Sequence, residues 1–341
     1  MSASNIFFKK EPPTLLGNFC VISCMKPLWL ILFLISCTND KVKDQSVSEQ
    51  WGDEFEVVDI KSPIDGVLQK AYFYKTKSSD PQPLIVSLHT WSFDYTQYDS
   101  INIQSVEKDF NYIHPDFRGP NKSKDACCSD LVISDIDASI DFAIENANVD
   151  TSKIFVIGNS GGGYATIAMF MRSRHKIKKF SSWVPLVDLL RWYDETTIRK
   201  LEYSNDILYC TQSVNNIINE DVAKKKSPIY WETPKEKLNY ASLDIYTGVY
   251  DGMIGNGPIP ITHSINFYNK LLNDIGEKDK TKFVSDKEKL FLLEYRKALG
   301  NFGSISGRKV FLLKESNSIR LTLFDGGHEI LKRFAFEQIT K

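Results

Sequence analysis

One hexapeptide restricts this chain more than any other feature. Gly158-Asn159-Ser160-Gly161-Gly162-Gly163 stands between an apolar run, Lys153-Ile154-Phe155-Val156-Ile157, and a helical stretch from Tyr164 to Arg174. It contains G-x-S-x-G, and a strand before with a helix after is the setting in which that motif forms a nucleophile elbow. The turn is so tight that side chains two residues either side of the serine would strike the neighbouring strand and helix, hence the glycines. It exposes the Ser160 hydroxyl and aims the N-terminus of the following helix at charge developing on a bound carbonyl oxygen. A glycine-rich turn that holds a phosphate, or nothing, would share this composition. Strand and helix together favour a nucleophile at Ser160.

In proteins with this elbow the partners follow as acid, then histidine, each on a loop after a later strand. Of the five histidines, His263 and His328 follow Ser160 at a distance. Gly326-Gly327-His328-Glu329 comes after a strand at 319–324 and before the last helix, where the base belongs. His263 falls inside a helix and reads as a packed or surface residue. Thr247-Gly248-Val249-Tyr250-Asp251-Gly252 puts Asp251 at the end of the penultimate strand, where an aspartate orients the imidazole and stabilises its charged form. Asp244 lies within that strand, Asp274 on a helix end, and Asp325 too close to the base to reach its ring. The oxyanion needs two donors. The Gly161 backbone N–H is one, and the loop His89-Thr90-Trp91-Ser92 after the strand at 84–88 supplies the other. Trp91 is the choice there, with its ring as a floor for the pocket, while His89 braces the loop.

The rest of the chain alternates strands with helices. Residues 56–60 and 66–74 alternate like an antiparallel pair at a sheet edge, and 83–88 is a continuous apolar run suited to a strand covered on both faces. A weaker strand at 110–115, a helix at 131–145, and strands at 180–185 and 243–249 follow. Helices at 261–272 and 285–299 precede the strand at 319–324, and a last helix starts near Glu329. Residues 187–240 break the rhythm with helical, aromatic sequence and read as a cap over a site. This predicts an α/β fold: a mostly parallel central sheet with helices on both faces and a helical cap insertion.

At the amino terminus, Met25-Lys26 precedes the apolar run 27–34 and Ile35-Ser36-Cys37. The run is too short to span a bilayer as a helix but suits a secretory signal. Leu34-Ile35-Ser36-Cys37 looks like a bacterial lipobox, whose cysteine is lipidated and becomes the first residue. The expected organisation is an upstream extension at 1–24, translated or not, and a lipoprotein signal at 25–36. A polar tether at 37–54 and a catalytic domain at 55–341 follow. The chain would then sit in a bacterial cell envelope, held to a membrane through Cys37. Cys127, Cys128 and Cys210 remain, enough for one disulfide with one thiol over. No His/Cys pair has zinc-ligand spacing, so no metal is expected. Formal net charge is −1 with no basic stripe, which argues against a nucleic-acid partner. Nothing in the sequence sets an oligomeric state.

With these residues in place, the chain resembles the catalytic domain of the prolyl oligopeptidase family within the α/β-hydrolase superfamily. The resemblance runs from about Pro83 to His328. It rests on Asp116-Phe117-Arg118-Gly119-Pro120-Asn121, on Ala126-Cys127-Cys128-Ser129-Asp130-Leu131, on Ser227-Pro228-Ile229, and on Asp251 followed by Pro258-Ile259-Pro260. It implies hydrolysis of an amide or ester through an acyl-enzyme, with no cofactor. Thr90 departs from the His-Gly of many relatives, and the expected mature chain has no room for the β-propeller that gates the family's large peptidases. That ranks an esterase acting on an acylated carbohydrate or small ester first. A peptidase acting on short peptides comes second, and a surface-binding lipoprotein with a relic site third. Trp192, Tyr203 and Trp231 would offer a sugar flat faces. Paired acids gripping a substrate amine would mark a peptidase, but Asp194-Glu195 reads equally as a solvated helix face.

Overall fold

The computed structural model describes residues 50–341; the signal at 25–36, Cys37 and most of the expected tether lie outside them. Six strands build the parallel centre of one sheet: β3 (Gln82–Leu88), β4 (Asn111–Pro115), β5 (Val149–Asn159), β6 (Lys179–Trp183), β7 (Ser242–Gly248) and β10 (Ile319–Phe324). An antiparallel hairpin, β1 (Glu56–Lys61) and β2 (Leu68–Tyr74), extends it beyond β4. At the other end β9 (Arg308–Ser316) runs antiparallel to β10, and the short β8 (Ser304–Ile305) closes the edge. The order across the sheet is β1-β2-β4-β3-β5-β6-β7-β10-β9-β8.

Alternate residues of the central strands feed two cores, one on each face. Leu84, Val86, Ile154, Val156, Ile245 and Leu321 pack on one side. They meet helices α2 (Asp130–Asn146), α3 (Gly161–Arg172) and α7 (Thr262–Asp274). Ile85, Tyr112, Phe155, Ile157, Trp183, Tyr246 and Phe324 point the other way, where α9 (Lys332–Ile339) adds Ala335, Phe336 and Ile339. Burial on both faces is why these strands read as unbroken apolar runs. The small α1 (Ile101–Glu107) lies ahead of β4.

Between β6 and β7 the chain forms α4 (Leu189–Ile198), α5 (Tyr203–Cys210) and α6 (Glu220–Lys225), then two 3₁₀ turns. A disulfide between Cys127 and Cys210, Cα atoms 6.0 Å apart, ties α5 to the loop before α2, and Cys128 stays free and buried. After α7 comes α8 (Asp286–Tyr295), opened by a capping box in which Ser285 and Glu288 satisfy each other's backbone N–H groups.

Two expectations need correction, and one strand adds to the expected elements: β9, at 308–316, lies between the helix predicted to 299 and the strand at 319–324. The last helix begins at Lys332 rather than near Glu329. The packed domain also starts before residue 55: Trp51 is buried and stacks on Tyr72 with ring centroids 4.4 Å apart, inside the expected tether.

Candidate active site

The elbow is built by collisions that only glycine avoids. A Cβ on Gly158 would stand 2.5 Å from the Gly162 backbone, and one on Gly162 would stand 2.2 Å from the Leu88 carbonyl oxygen. A Cβ on Gly163 would come within 2.5 Å of the Trp183 carbonyl oxygen. Strand β5, helix α3 and strands β3 and β6 therefore meet at backbone distance. Ser160 itself sits at φ 57°, ψ −121°, a conformation a non-glycine residue adopts only when its surroundings impose it. Its N–H donates to the Trp183 carbonyl at 2.9 Å, which fixes that turn. Helix α3 starts at once after it, with its positive end toward the hydroxyl.

The structure brings Ser160, His328 and Asp251 together from three separate strand ends. His328 Nε2 lies 2.8 Å from Ser160 Oγ, and His328 Nδ1 lies 2.8 Å from Asp251 Oδ2. With Nδ1–H donating to the carboxylate, Nε2 is left to accept the serine proton. Asp251 is fully buried, and its Oδ1 accepts from the N–H groups of Gly252 at 2.9 Å and Ile259 at 3.2 Å. Burial pushes its carboxyl above the ordinary range, while the His328 hydrogen bond and charge pull it back. The loop from Asp251 to Pro260 closes on the histidine. Gly257, at φ 131°, leaves room where a Cβ would stand 2.3 Å from Asp251 Oδ1 and 2.4 Å from His328 Cβ.

The rival acids are elsewhere. Asp244 is buried 3.3 Å from Lys179 Nζ, Asp274 holds Thr233 and Lys270, and the Asp325 amide pairs with the Lys309 carbonyl of β9. His263 is wholly buried in α7. Its Nδ1 accepts from the Val187 N–H at 3.3 Å, and its Nε2 meets Glu195 Oε2 at 2.9 Å. Glu195 therefore turns inward, and it takes Arg191 at 2.9 Å as well, while Asp194 remains exposed. The two neighbouring acids neither share a solvated face nor form an amine-gripping pair.

Trp91 lies beside the elbow: a Cβ on Gly161 would be 2.4 Å from its backbone nitrogen. Neither the Gly161 nor the Trp91 amide donates to another group among the described residues. Trp91, however, is 2% exposed and its ring packs edge-on against Trp192 at 4.7 Å, so it floors no pocket. Its loop is braced on all sides. His89 stacks on Phe117 at 3.8 Å, and Gln97 receives the Thr90 N–H at 2.8 Å while donating to Thr90 Oγ1 at 3.1 Å. The threonine in place of glycine is thus accommodated by a two-point grip.

Sequence reasoning missed Gln97, Gly257 and Arg199. Arg199, just past α4, donates to the carbonyls of Gly252 at 3.0 Å, Gly257 at 3.2 Å and Pro258, and Trp192 Nε1 reaches Pro258 as well, at 3.1 Å. These contacts join residues about sixty positions apart, and no local pattern announces them. Among the described residues no cluster of His, Cys, Asp and Glu could hold a metal ion.

A family model described as prolyl oligopeptidase family matches residues 96–273, just over half of the chain, which includes Ser160 and Asp251. Among solved structures, Pyrococcus horikoshii acylaminoacyl peptidase aligns with a TM-score of 0.52 and 19% identity, over 70% of this chain and 37% of its own. Leishmania major oligopeptidase B aligns with a TM-score of 0.53 and 14% identity, over 84% and 36%. Galerina marginata prolyl oligopeptidase B aligns with a TM-score of 0.51 and 18% identity, over 66% and 32%. The chain thus spans about a third of the length covered by these structures. No curated protein matches it significantly. A doubly covered, mostly parallel sheet with a serine elbow on its central strand, together with the matched segment, places the chain in the prolyl oligopeptidase family, with the α/β-hydrolase fold.

Proposed function

We propose that this protein is a serine peptidase acting on short peptides, with Ser160 as nucleophile, His328 as general base and acid, and Asp251 as the orienting acid. The observation that carries it is the unbroken chain from Ser160 Oγ through His328 to Asp251, at 2.8 Å and 2.8 Å, beside the Gly161 and Trp91 amides, which have no partner among the described residues. As Oγ bonds to the substrate carbonyl carbon, its proton passes to Nε2, and the oxyanion turns to the Gly161 and Trp91 amides. The imidazolium, steadied by Asp251, gives that proton to the leaving amine as the C–N bond breaks. Water then repeats the sequence on the acyl-enzyme, which frees the acid and restores Ser160.

Family membership favours peptide over ester, reversing the ranking that the sequence alone suggested. The aromatic argument for a sugar ester also weakens. Trp192 and Trp231 are 1% and 6% exposed, and Arg172 covers the Trp231 ring at 3.6 Å. Residues 187–240 are read as a cap, supported by the grip of Arg199 and Trp192 on the acid loop. The test is to screen the detergent-purified full chain against aminoacyl-nitroanilides, p-nitrophenyl esters and acetylated glycans. Anilide turnover is expected, and Ser160→Ala is expected to lose it together with fluorophosphonate labelling, by several orders of magnitude in kcat. Hydrolysis of acetylated glycans without anilide activity would restore the ester reading.

We also propose that Cys37 carries lipid and holds the enzyme to a bacterial envelope membrane. The support is the order of apolar run, lipobox cysteine and polar segment, and a Cys127–Cys210 disulfide suits an oxidising compartment. Each buried acyl methylene contributes about 0.8 kcal/mol, so two chains anchor firmly. Wild type expressed in a bacterium should incorporate labelled palmitate, partition into detergent and begin at Cys37. Cys37→Ser should lose the label and keep the hydrolase activity. A soluble wild type retaining residues 1–36 would refute the anchor.

A further inference from the structure

The second oxyanion donor is held from outside the elbow, by groups that the serine, histidine and aspartate do not touch. Trp91 Nε1 donates to Asp206 Oδ2 at 3.0 Å, and Asp206 belongs to α5, 115 residues further along the chain. At the other end of the same residue, the Trp91 carbonyl oxygen accepts from the Asn121 N–H at 2.8 Å. Asn121 is buried, and its side-chain oxygen takes the Cys127 N–H at 2.9 Å. Cys127 is bonded to Cys210, one helical turn beyond Asp206 on α5, and the Cys210 sulfur lies 3.3 Å from the Asn121 carbonyl oxygen. Indole, carboxylate, helix, disulfide and asparagine thus close a ring that starts and ends on Trp91. Buried Lys226 stiffens it, donating to the carbonyls of Lys124 at 2.6 Å and Ala126 at 2.9 Å in the same loop as Asn121.

We propose that Asp206 is a positioning residue for catalysis, which through the Trp91 indole fixes the Trp91 backbone N–H as the second oxyanion donor. The proposal rests on the serine-hydrolase reading above. An oxyanion donor works only within about 2.7–3.1 Å of the developing charge, so a small rotation of Trp91 is enough to lose it. Half-buried Asp206 lies in the first turn of α5 without capping it, and the indole is its hydrogen-bonding partner among the described residues. Burial raises its carboxyl, the indole bond pulls it down, and the nearby charges are Lys122 and Glu202.

The test uses the full chain and reads kcat and KM separately, with the affinity of phenylboronic acid, which forms a tetrahedral adduct on the serine. Asp206→Ala and Trp91→Phe each remove the indole bond, one from either side. Each should lower kcat about 10- to 100-fold and weaken boronate binding in parallel, with KM within about twofold, since one oxyanion donor is worth about 10²- to 10³-fold. The double variant should be no worse than either single one, as expected of two partners in one interaction. Asp206→Asn, whose amide oxygen still accepts the indole N–H, should restore most of the rate. A raised KM at unchanged kcat would make Asp206 a substrate contact and overturn the proposal, as would additive losses in the double variant. If Asp206→Ala does not fold, Trp91→Phe and Asp206→Asn decide the question alone. Ser160→Ala in the same assay separates the two readings. Turnover surviving there refutes the nucleophile, whereas an inactive Ser160→Ala beside a fully active Asp206→Ala refutes this proposal only.

Discussion

A carboxylate buried as deeply as Asp251 is tolerable only if its lone pairs are answered. Here three donors answer them: His328 Nδ1–H and the backbone amides of Gly252 and Ile259. Replacing Asp251 with asparagine keeps the shape but offers Nδ1 an amide, which favours the wrong imidazole tautomer. Asp251→Asn is therefore expected to fold and to lose about 10⁴-fold in kcat, as triad aspartates do. Steady-state kinetics beside a thermal melt would check it, and a comparable loss in Asp244→Asn with Asp251→Asn active would move the acid elsewhere. The positions of Ser160, Asp251 and His328 are readable from sequence because each follows a strand whose apolar run marks where it ends. Gly257 and Gln97 leave no such mark. A positive φ at a loop glycine, or a carboxamide gripping a threonine seven residues back, exists only once the chain has closed on itself.

At the scale of elements, the parallel strands are legible because burial on both faces forces an unbroken apolar run. Strand β9 is not, since Arg308, Lys309, Lys314 and Glu315 flank a short apolar centre and pairing with β10 and β8 makes a strand of it. The motif around Arg118 shows how sequence identity and role come apart. It carries the family resemblance, yet its work is structural: Arg118 joins the β1–β2 hairpin to α2. Its guanidinium donates to Asp135 at 2.5 Å, Asp65 at 2.7 Å and Ser62 at 2.8 Å. The Asp135 side chain is fully buried, and burial raises its carboxyl against the pull of Arg118. Breaking a buried pair from one side typically costs about 3–5 kcal/mol, because the remaining charge stays buried without a partner. Arg118→Ala should show a loss of that order in urea unfolding while the folded fraction keeps its kcat. A loss no larger than that of an exposed pair would show that water reaches Asp135.

For the whole molecule, a ten-stranded sheet with both faces covered sets an interior base among packed side chains. His114, on β4, is 1% exposed. It lines a small cavity with Ser87, Gln97, Asp99, Asn159 and Lys332, on the flank of the elbow strand. Burial pulls His114 from its ordinary 6.5 down to about 4; Asp99 and the Ser87 backbone pull the other way, while His89 and Lys332 add to the fall. The unfolded chain therefore binds a proton at this position between pH 6.5 and 4 that the folded chain refuses. Because stability rises with pH wherever the unfolded state holds more protons, the fold should weaken as pH drops through that window. At about 1.4 kcal/mol per pH unit of separation, the loss from this one residue reaches about 3 kcal/mol near pH 4. Carboxylates add their own acid losses below that range, so the informative measurement is a difference. Urea unfolding of wild type and His114→Phe at pH 7 and pH 4.5 should show wild type losing more stability between the two pH values, by up to about 2–3 kcal/mol. Equal losses would mean that His114 takes up a proton inside the folded sheet, and the acid sensitivity of the molecule would then have to come from its carboxylates.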